Sequence, residues 1–423
     1  MAGTAELGSS SSTTMLNNIS IKTILTLRYD ASLKETLIPK LSWEHFQQKD
    51  PSHDPVSQVE RIIIENMKQK ISESGQGKVA FSLSGGIDST LIFSLLRKNM
   101  PDIDVQAISV RFSNSQDETS QAAKIASQFD SNHHIVHVDN YLQELPAAIS
   151  IVKLPFWDLH WYHVVKKAKD FSSILISGDG GDELFGGYTF RYSKFLSLVR
   201  DDFSVSSKIR AYLDCHERDW VPDQDRLFGT ACKFSWDEIH DILRNYFDNS
   251  LDPIAQVFLA DFNGKLLYNW LPLNTAFHDF FGVKAVTPLI SPDLINYSTH
   301  LPHLLKYDAT KNEGKLVLRK LLLKYLGGKS VPNMISSAKQ GFSVDTIKLW
   351  NNYGHRICKY YLSNARIVKE ERWIDEAWIK DHIDKVEGYS NPRYVNKFLG
   401  LLALEVWYRL FVSKELSRTD KLD

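Results

Sequence analysis

Two glycine-rich segments combine acidic and hydroxyl side chains at a spacing that suits phosphate chemistry. The first glycine loop, SGGIDST at residues 84–90, lies between an apolar stretch and a helical pattern. Gly85 and Gly86 let the backbone approach an anion, and a helix start offers unpaired N–H groups and the positive end of its dipole. Ser84 and Ser89 add hydroxyl donors. The segment therefore predicts a phosphate-binding loop.

The acid in this loop predicts a metal ion. Asp88 beside a phosphate would bring two anions into contact, and these repel unless a cation lies between them, so we expect Mg²⁺. The segment lacks the lysine of the GxxxxGK[ST] loop and does not match GxGxxG, which disfavours a P-loop kinase and a Rossmann dehydrogenase. Taken alone, it is also compatible with an ordinary strand-to-helix turn of small residues.

The second glycine loop, SGDGGDELFGGY at residues 177–188, also follows an apolar stretch. Glycines on both sides of its acids indicate close backbone packing. If the strands before the two loops are parallel neighbours, Asp88 and Asp182 emerge at the same edge of the sheet and could bind one or two Mg²⁺ on a polyphosphate. A flexible acidic loop or a calcium site are the alternatives, although the spacing does not match an EF-hand.

The elements that must position these loops alternate between strand and helix patterns. A helix is predicted from Ser57 to about Gly75, and strands and helices then alternate as Val79–Leu83, Ser89–Leu96, Val105–Phe112, Glu118–Phe129, His134–Val138 and, after further helical patterns, a strand at Ser173–Ile176. Such alternation predicts an α/β fold with a doubly wound parallel sheet. After about residue 190 the pattern becomes helical, which predicts a mainly helical C-terminal half.

Four regions follow from these patterns. We expect a flexible leader at 1–18, a short N-terminal appendage at 19–54, a nucleotide-binding α/β region at 55–200 and a helical region at 201–423 that completes the domain. Within the appendage, Ile19–Leu27 alternates apolar and polar residues like a strand.

Composition limits the classes of protein. The chain has 423 residues, 43% of them hydrophobic, which is typical of a globular protein. Its 50 Lys plus Arg balance 51 Asp plus Glu, so it has no overall positive charge that would attract nucleic acid. No apolar run approaches the roughly 18 residues that span a bilayer, so we expect no membrane contact. The three widely spaced cysteines indicate neither disulfides nor a zinc site, and we expect a cytoplasmic protein.

Two further clusters have both a functional and a structural interpretation. His133, His134 and His137 could bind a metal, but neighbours in a strand point to opposite faces, which favours packing. The aromatic stretch at 156–163 could line an apolar substrate pocket, although such stretches are more often core.

The paired motifs SGGIDS and SGDGGDELFGGY resemble the synthetase domain of the asparagine synthetase family, within the PP-loop ATP pyrophosphatase group. The resemblance covers about 55–344 and extends to Val110, Asp117-Glu118, the KLVLR segment at 315–319 and the KQGF segment at 339–342. It implies that ATP places its pyrophosphate in the first glycine loop. It also implies that a substrate carboxylate attacks the α-phosphate, giving an acyl-adenylate and pyrophosphate, and that an amine then displaces AMP.

The resemblance also implies roles for individual residues. Lys339 matches the family's catalytic lysine, whose charge suits the negative charge developing on the α-phosphate; the alternative is a solvated surface lysine. Asp179 stands where family members carry a glutamate or tyrosine linked to the amine step, and it either accepts a proton or only shapes the loop. Arg319 either meets the phosphates or lies on a solvated helix face. The other implied contacts are Ser84, Gly85, Gly86, Asp88 and Ser89 with pyrophosphate, Asp88 and Asp182 with Mg²⁺, and Leu83, Val110 and Gly178 with adenosine.

This sequence departs from the family at three places. It does not begin with the nucleophilic cysteine and glutaminase domain of glutamine-dependent members, so we expect free ammonia, an amine, a group within the substrate, or ammonia from a separate glutaminase subunit as nitrogen donor. The family's ExRxPFLD is KAVTPLIS at 284–291, with all three charged positions changed. The acidic DEP is KLP at 153–155. The carboxylate substrate therefore need not be aspartate.

Three functions are compatible with these observations. The first is an ATP- and Mg²⁺-dependent ligase that forms an amide through an acyl-adenylate, with asparagine formation as the default chemistry. The second is a specialised relative resembling β-lactam synthetases or lasso-peptide cyclases, which closes an intramolecular amide. The third is a non-catalytic nucleotide-binding subunit that positions another protein.

Overall fold

A five-stranded parallel sheet in the order β3-β2-β1-β4-β5 organises the fold. The structure is a computed structural model and describes residues 16–113, 115, 117, 119–326, 344–385 and 391–423. The strands of the sheet are β1 (Lys78–Ser82), β2 (Asp104–Phe112), β3 (Asn132–Val138), β4 (Ile174–Ile176) and β5 (Lys284–Val286). A separate antiparallel hairpin pairs β6 (Tyr307–Asp308) with β7 (Glu313–Gly314).

Helices cover both faces of the sheet and make up most of the remaining described chain. The α-helices are α1 (Asn18–Leu27), α2 (Pro55–Ser74), α3 (Ile87–Asn99), α4 (Thr119–Gln128), α5 (Leu145–Val152), α6 (His160–Ala168), α7 (Gly181–Phe185), α8 (Thr189–Val199), α9 (Val205–Cys215), α10 (Gln224–Leu227), α11 (Trp236–Phe247), α12 (Pro253–Asp261), α13 (Leu271–Phe281), α14 (Pro292–His300), α15 (Leu316–Leu326), α16 (Thr346–Leu349), α17 (His355–Leu362), α18 (Arg366–Lys369), α19 (Glu376–His382) and α20 (Pro392–Phe411). Short 3-10 turns lie at Trp43–Phe46, Pro288–Ile290 and His303–Leu305, and π-helical stretches at Phe262–Trp270 and Trp350–Gly354.

The inner strands β1, β2 and β4 are mostly buried on both faces, and their successive side chains enter two different apolar clusters. The edge strands β3 and β5 are more exposed. Phe81 and Ile176 pack on the face covered by α2, α3 and α15, whereas Ala80 and Leu175 pack on the face covered by α5, α6 and α20. Strands of a parallel sheet are nearly continuously apolar for this reason. The predicted doubly wound α/β fold is confirmed, with strand bounds close to the predicted ones.

One strand of the parallel sheet was not predicted, and neither was the β6–β7 hairpin. β5 lies in the helical second half and pairs with β4, with Ile176 beside Val286. It has three residues at the sheet edge, and Lys284 is exposed, so it shows neither the length nor the apolar run that identifies a buried strand. The second half of the chain thus contributes to the sheet itself.

The strand expected at Ile19–Leu27 is a helix instead, α1, which Asn17 caps by accepting a hydrogen bond from the N–H of Ser20 (2.8 Å). Eight of its ten residues are buried, including Thr23 and Thr26, so the apolar positions show no helical period. Its polar groups have partners in the rest of the fold: the Leu25 carbonyl accepts a hydrogen bond from Gln224 (3.1 Å). Tertiary packing has therefore overridden the local alternation.

The C-terminal region is part of the core. Trp378 and Trp407 are 1% and 0% exposed, and the Trp407 indole N–H donates to the Lys153 carbonyl at 2.9 Å. α20 contacts α1, α5 and α17. None of the helices that the structure describes has the length and apolar character needed to cross a bilayer.

Replacing Ile24 with Ala tests whether α1 belongs to this core. The side chain is 1% exposed, and truncation of such a side chain costs about 2 to 5 kcal/mol of unfolding free energy because transfer and cavity terms add. Urea unfolding followed by circular dichroism should show this loss. Leu198→Ala, at a residue 45% exposed, is the control and should stay within about 0.5 kcal/mol. Equal stability of the two variants would contradict the packing of α1.

Candidate active site

The two glycine loops lie at the point where the order of the sheet reverses. β1 pairs with β2 on one side and with β4 on the other. The sheet grows from β1 through β2 to β3 on the first side and through β4 to β5 on the second side. The first glycine loop follows β1 and the second follows β4. Because the carboxyl ends of neighbouring parallel strands share one edge, this switch point is where α/β folds bind ligands.

The first glycine loop is held together by its own hydroxyls. Ser84 Oγ and Ser89 Oγ lie 3.0 Å apart, and the Gly86 N–H donates to Ser84 Oγ at 3.3 Å. Gly85 has φ +77°, in the left-handed region that favours glycine, and an added Cβ would lie 3.0 Å from Gln121 Cγ in α4. α3 begins within this segment, at Ile87, with Gly86 at its N-cap and no side chain capping it. The arrangement thus presents a helix N-terminus beside two hydroxyls.

Two glycines of the second loop allow it to contact the first. A Cβ on Gly178 would lie 2.7 Å from the Asp88 carbonyl carbon and from the Ser89 nitrogen, and one on Gly181 would lie 2.5 Å from Asp88 Cγ. Side chains at these positions would separate the loops. The glycines predicted from sequence to pack closely therefore pack against the start of α3.

A lysine that the sequence analysis did not single out joins the two acids. Lys315 Nζ lies 2.5 Å from Asp88 Oδ2 and 2.7 Å from Asp182 Oδ1, and the three side chains are only 6%, 13% and 11% exposed. The structure therefore brings Asp88 and Asp182 onto one point, as predicted. In the sequence, Lys315 appeared only as the first residue of the KLVLR segment, and nothing in its local pattern distinguishes it from a surface lysine.

The β6–β7 hairpin positions this lysine. Lys315 follows β7 with φ +58°, and its N–H donates to the Phe185 carbonyl at 2.9 Å. Gly187 and Gly314 permit the close approach, since a Cβ on Gly187 would overlap the Asp182 carboxylate and one on Gly314 would overlap the Gly186 carbonyl oxygen. Arg319 supports the same hairpin by donating from Nε to the Gly314 carbonyl at 2.8 Å.

Glu183 and Tyr188 form a buried hydrogen-bonded pair within the second glycine loop. The Tyr188 hydroxyl donates to Glu183 Oε1 at 2.5 Å, and the Arg191 guanidinium lies 4.2 Å from the centre of the Tyr188 ring. Burial raises the pKa of Glu183 and raises that of Tyr188 well above its ordinary value. Both shifts favour the protonated forms, which keeps the pair hydrogen-bonded.

The remaining predicted site residues are placed as follows. Leu83 and Val110 are 0% and 4% exposed, so their side chains belong to the core and only their backbone could face a nucleotide. Asp179 is half-buried between Gly178 and Gly180. Lys339 and the rest of the KQGF segment lie outside the described residues.

The segment that departs from the family motif packs against the second loop. Val286 is buried in β5, Ser291 is buried at the start of α14, and Lys284 is exposed and 3.7 Å from Glu73. A Cβ on Gly180 would lie 2.5 Å from Ile290 Cγ1. The side chain that this segment places against Gly180 of the second glycine loop is therefore apolar.

The other sequence clusters are structural. His133 Nε2 lies 2.7 Å from Ser109 Oγ, His134 stacks on Phe171 with ring centres 4.1 Å apart, and burial lowers the pKa of both histidines. Trp157 and Trp161, within the aromatic stretch, are 5% and 4% exposed core residues. The three cysteines are unpaired, and burial raises the pKa of Cys215 to about 12 and that of Cys232 to about 11.

The donor set at the site suits a hard cation. Asp88 and Asp182 supply carboxylate oxygens to one point, and Asp88 Oδ1 is buried without a hydrogen-bond partner among the described residues. Mg²⁺ commonly binds one or two carboxylates and takes its other ligands from phosphates and water. No group of three or more His, Cys, Asp or Glu side chains within the described ranges could hold a metal ion by itself.

Comparison with known proteins identifies the family of the chain. A family model described as asparagine synthase matches residues 70–409. The chain is 26% identical over 367 residues to a putative glutamine-hydrolyzing asparagine synthetase of Mycobacterium tuberculosis H37Rv, covering 78% of this chain and 54% of that protein. It is 30% identical over 148 residues to a second such protein of Methanocaldococcus jannaschii, covering 33% and 29%. The chain belongs to the asparagine synthase family of ATP-using ligases.

The matched region spans 54% or less of the length of these relatives. Among solved structures, an NH₃-dependent NAD synthetase from Campylobacter jejuni is 16% identical and covers 52% of this chain and 96% of its own, with a TM-score of 0.27. A similarity this low adds no weight to the assignment, which stands on the family match and the site.

Gly178→Ala tests the contact between the glycine loops. The added methyl would meet backbone atoms of Asp88 and Ser89, which cannot rotate away, so we expect a loss of about 1 to 3 kcal/mol of unfolding free energy. Gly77→Ala is the matched control because nothing lies within 4 Å of its added Cβ. Urea unfolding of both variants checks the prediction, and equal stability would show that the loops do not touch at Gly178.

Proposed function

We propose that this protein is an ATP- and Mg²⁺-dependent ligase that forms an amide through an acyl-adenylate. The observation that carries the proposal is the convergence of Asp88, Asp182 and Lys315 at the edge where the first glycine loop ends. Two acids and a lysine placed there suit a polyphosphate with its metal. Membership of the asparagine synthase family supports the same chemistry.

The first glycine loop would hold the pyrophosphate part of ATP. The N–H groups at the start of α3 and the hydroxyls of Ser84 and Ser89 are the donors, and the helix dipole favours the negative charge. Asp88 and Asp182 would hold Mg²⁺, which when bound offsets phosphate charge and orients the leaving group. Leu83, Val110 and Gly178 would border the adenosine through backbone atoms.

The proposed reaction has two steps. A substrate carboxylate oxygen attacks the α-phosphorus, the bond from that phosphorus to the bridging oxygen breaks, and pyrophosphate leaves. An amine nitrogen then attacks the acyl carbon, AMP leaves with the bond electrons, and the nitrogen loses a proton. Lys339 would stabilise charge on the α-phosphate in the first step. Asp179, which is half-buried within the second glycine loop, would accept the proton in the second step.

The acceptor is proposed to differ from aspartate. Lys284, Val286 and Ser291 stand where the family motif carries Glu, Arg and Asp, and of these three only Lys284 is charged. The neighbouring Ile290 packs against Gly180. An apolar side chain there gives no ion pair to a second charged group on the substrate. This favours a carboxylate with an apolar body, and it makes an intramolecular amide-forming cyclase the second candidate function.

The nitrogen donor is proposed to be ammonia or an amine, delivered free or by a separate glutaminase. We also propose a cytoplasmic location, because three unpaired cysteines suit a reducing compartment.

Product analysis tests the proposed function. The purified protein is given MgATP, ammonia and a panel of carboxylates that includes aspartate, and AMP, pyrophosphate and amide are quantified in parallel. Equal amounts of the three products with one carboxylate are expected. ADP and phosphate in place of AMP and pyrophosphate would rule out adenylation. Nucleotide binding with no turnover on any carboxylate or amine would favour a nucleotide-binding subunit.

A substitution of Asp182 tests whether this residue binds the metal. Asp182→Asn should reduce turnover by at least about 100-fold, because a charge that stabilises the transition state is lost. Asp241→Asn is the control, at a carboxylate whose side chain is 71% exposed. Circular dichroism should show both variants folded. A folded Asp182→Asn protein with full activity would remove Asp182 from the site.

A further inference from the structure

The described structure already holds a cation where the proposed metal would bind. Lys315 Nζ contacts Asp88 Oδ2 at 2.5 Å and Asp182 Oδ1 at 2.7 Å, so it takes the point on which both carboxylates converge. Mg²⁺ binds oxygen ligands at about 2.0 to 2.1 Å in a near-octahedral arrangement. An ammonium and a divalent ion therefore cannot both bind Asp88 Oδ2 and Asp182 Oδ1, the two oxygens that Lys315 contacts.

We propose that Lys315 is the resident cation of the nucleotide-free site and that it excludes free divalent metal until ATP arrives. The metal would then enter only together with the nucleotide, and the phosphates would provide the ammonium with a new anionic partner. The inference rests on the proposed assignment of Asp88 and Asp182 to the metal, but its test needs no catalytic turnover.

Charge explains why a resident cation is needed. Asp88 and Asp182 are 13% and 11% exposed at the side chain and approach the same point, so without a cation they would repel in surroundings that water screens poorly. A buried ion pair loses several kcal/mol when one partner is removed, because the other charge is left uncompensated. In the free protein Lys315 supplies that compensation from within the chain.

Geometry explains why a free metal ion would not displace it readily. The Lys315 N–H donates to the Phe185 carbonyl, which anchors the backbone. The Lys315 side chain passes so close to Gly187 that a Cβ added there would overlap Lys315 Cε. Displacing the ammonium would leave a 6% exposed lysine without its two carboxylates. A polyphosphate changes this balance because it brings several new negative oxygens to the ammonium.

The test measures Mn²⁺ binding to the nucleotide-free protein, with the electron paramagnetic resonance signal of free Mn²⁺ as the readout. Lys315→Met and Lys315→Gln should each bind one Mn²⁺ per chain, at least about tenfold more tightly than the wild-type protein does. At the same concentrations the wild-type protein should leave the signal of free Mn²⁺ unchanged. Lys311→Met is the matched control, at a lysine whose side chain is 74% exposed, and it should behave as wild type. Adding Asp182→Asn to Lys315→Met should abolish the gained site.

Each outcome decides the inference. Tight Mn²⁺ binding by nucleotide-free wild type would overturn it, and this measurement needs no variant to fold. Folded Lys315→Met and Lys315→Gln proteins that bind no Mn²⁺ would also overturn it. If these variants gain a metal site but the wild-type protein adenylates no carboxylate, the inference is supported and the proposed function is contradicted.

Discussion

The contact of one buried lysine with two aspartates is the constraint on which this site depends. Asp88, Asp182 and Lys315 come from the start of α3, from α7 and from the end of β7, and they meet within hydrogen-bond distance. Each charge would be costly to bury alone, and the Lys315 ammonium offsets one of the two carboxylate charges while attracting both. The packing of the surrounding elements must therefore be accurate enough to keep all three atoms at one point.

The glycines of the two loops make this convergence sterically possible. Gly178 and Gly181 allow the second loop to lie against Asp88, and Gly187 leaves room for the Asp182 carboxylate and the Lys315 chain. Backbone contacts of this kind are rigid, because atoms of the main chain cannot move aside as a flexible side chain does. The acidic loop is thus a packed interface between elements, in contrast to the flexible surface loop that its composition also allowed.

The sequence predicted the features that local chemistry controls. Strand-to-helix turns rich in glycine, the apolar strands of the sheet and the pairing of Asp88 with Asp182 followed from spacing and residue type. It failed for α1, whose buried threonines hide the helical period, and for the edge strand β5, which is too short to show a pattern. It also did not single out Lys315, because a lysine's role depends on which carboxylates the fold brings to it.

By itself the sequence determined the class of the fold, the positions of both glycine loops and the family, since these depend on residue order along the chain. Only the tertiary structure decided that α1 completes the core and that Lys315 takes the place between the two carboxylates. It also decided that the apolar side chain of Ile290 packs against Gly180 of the second glycine loop. These outcomes depend on contacts between residues far apart in the chain, and their energies come from burial and charge compensation that no local pattern encodes.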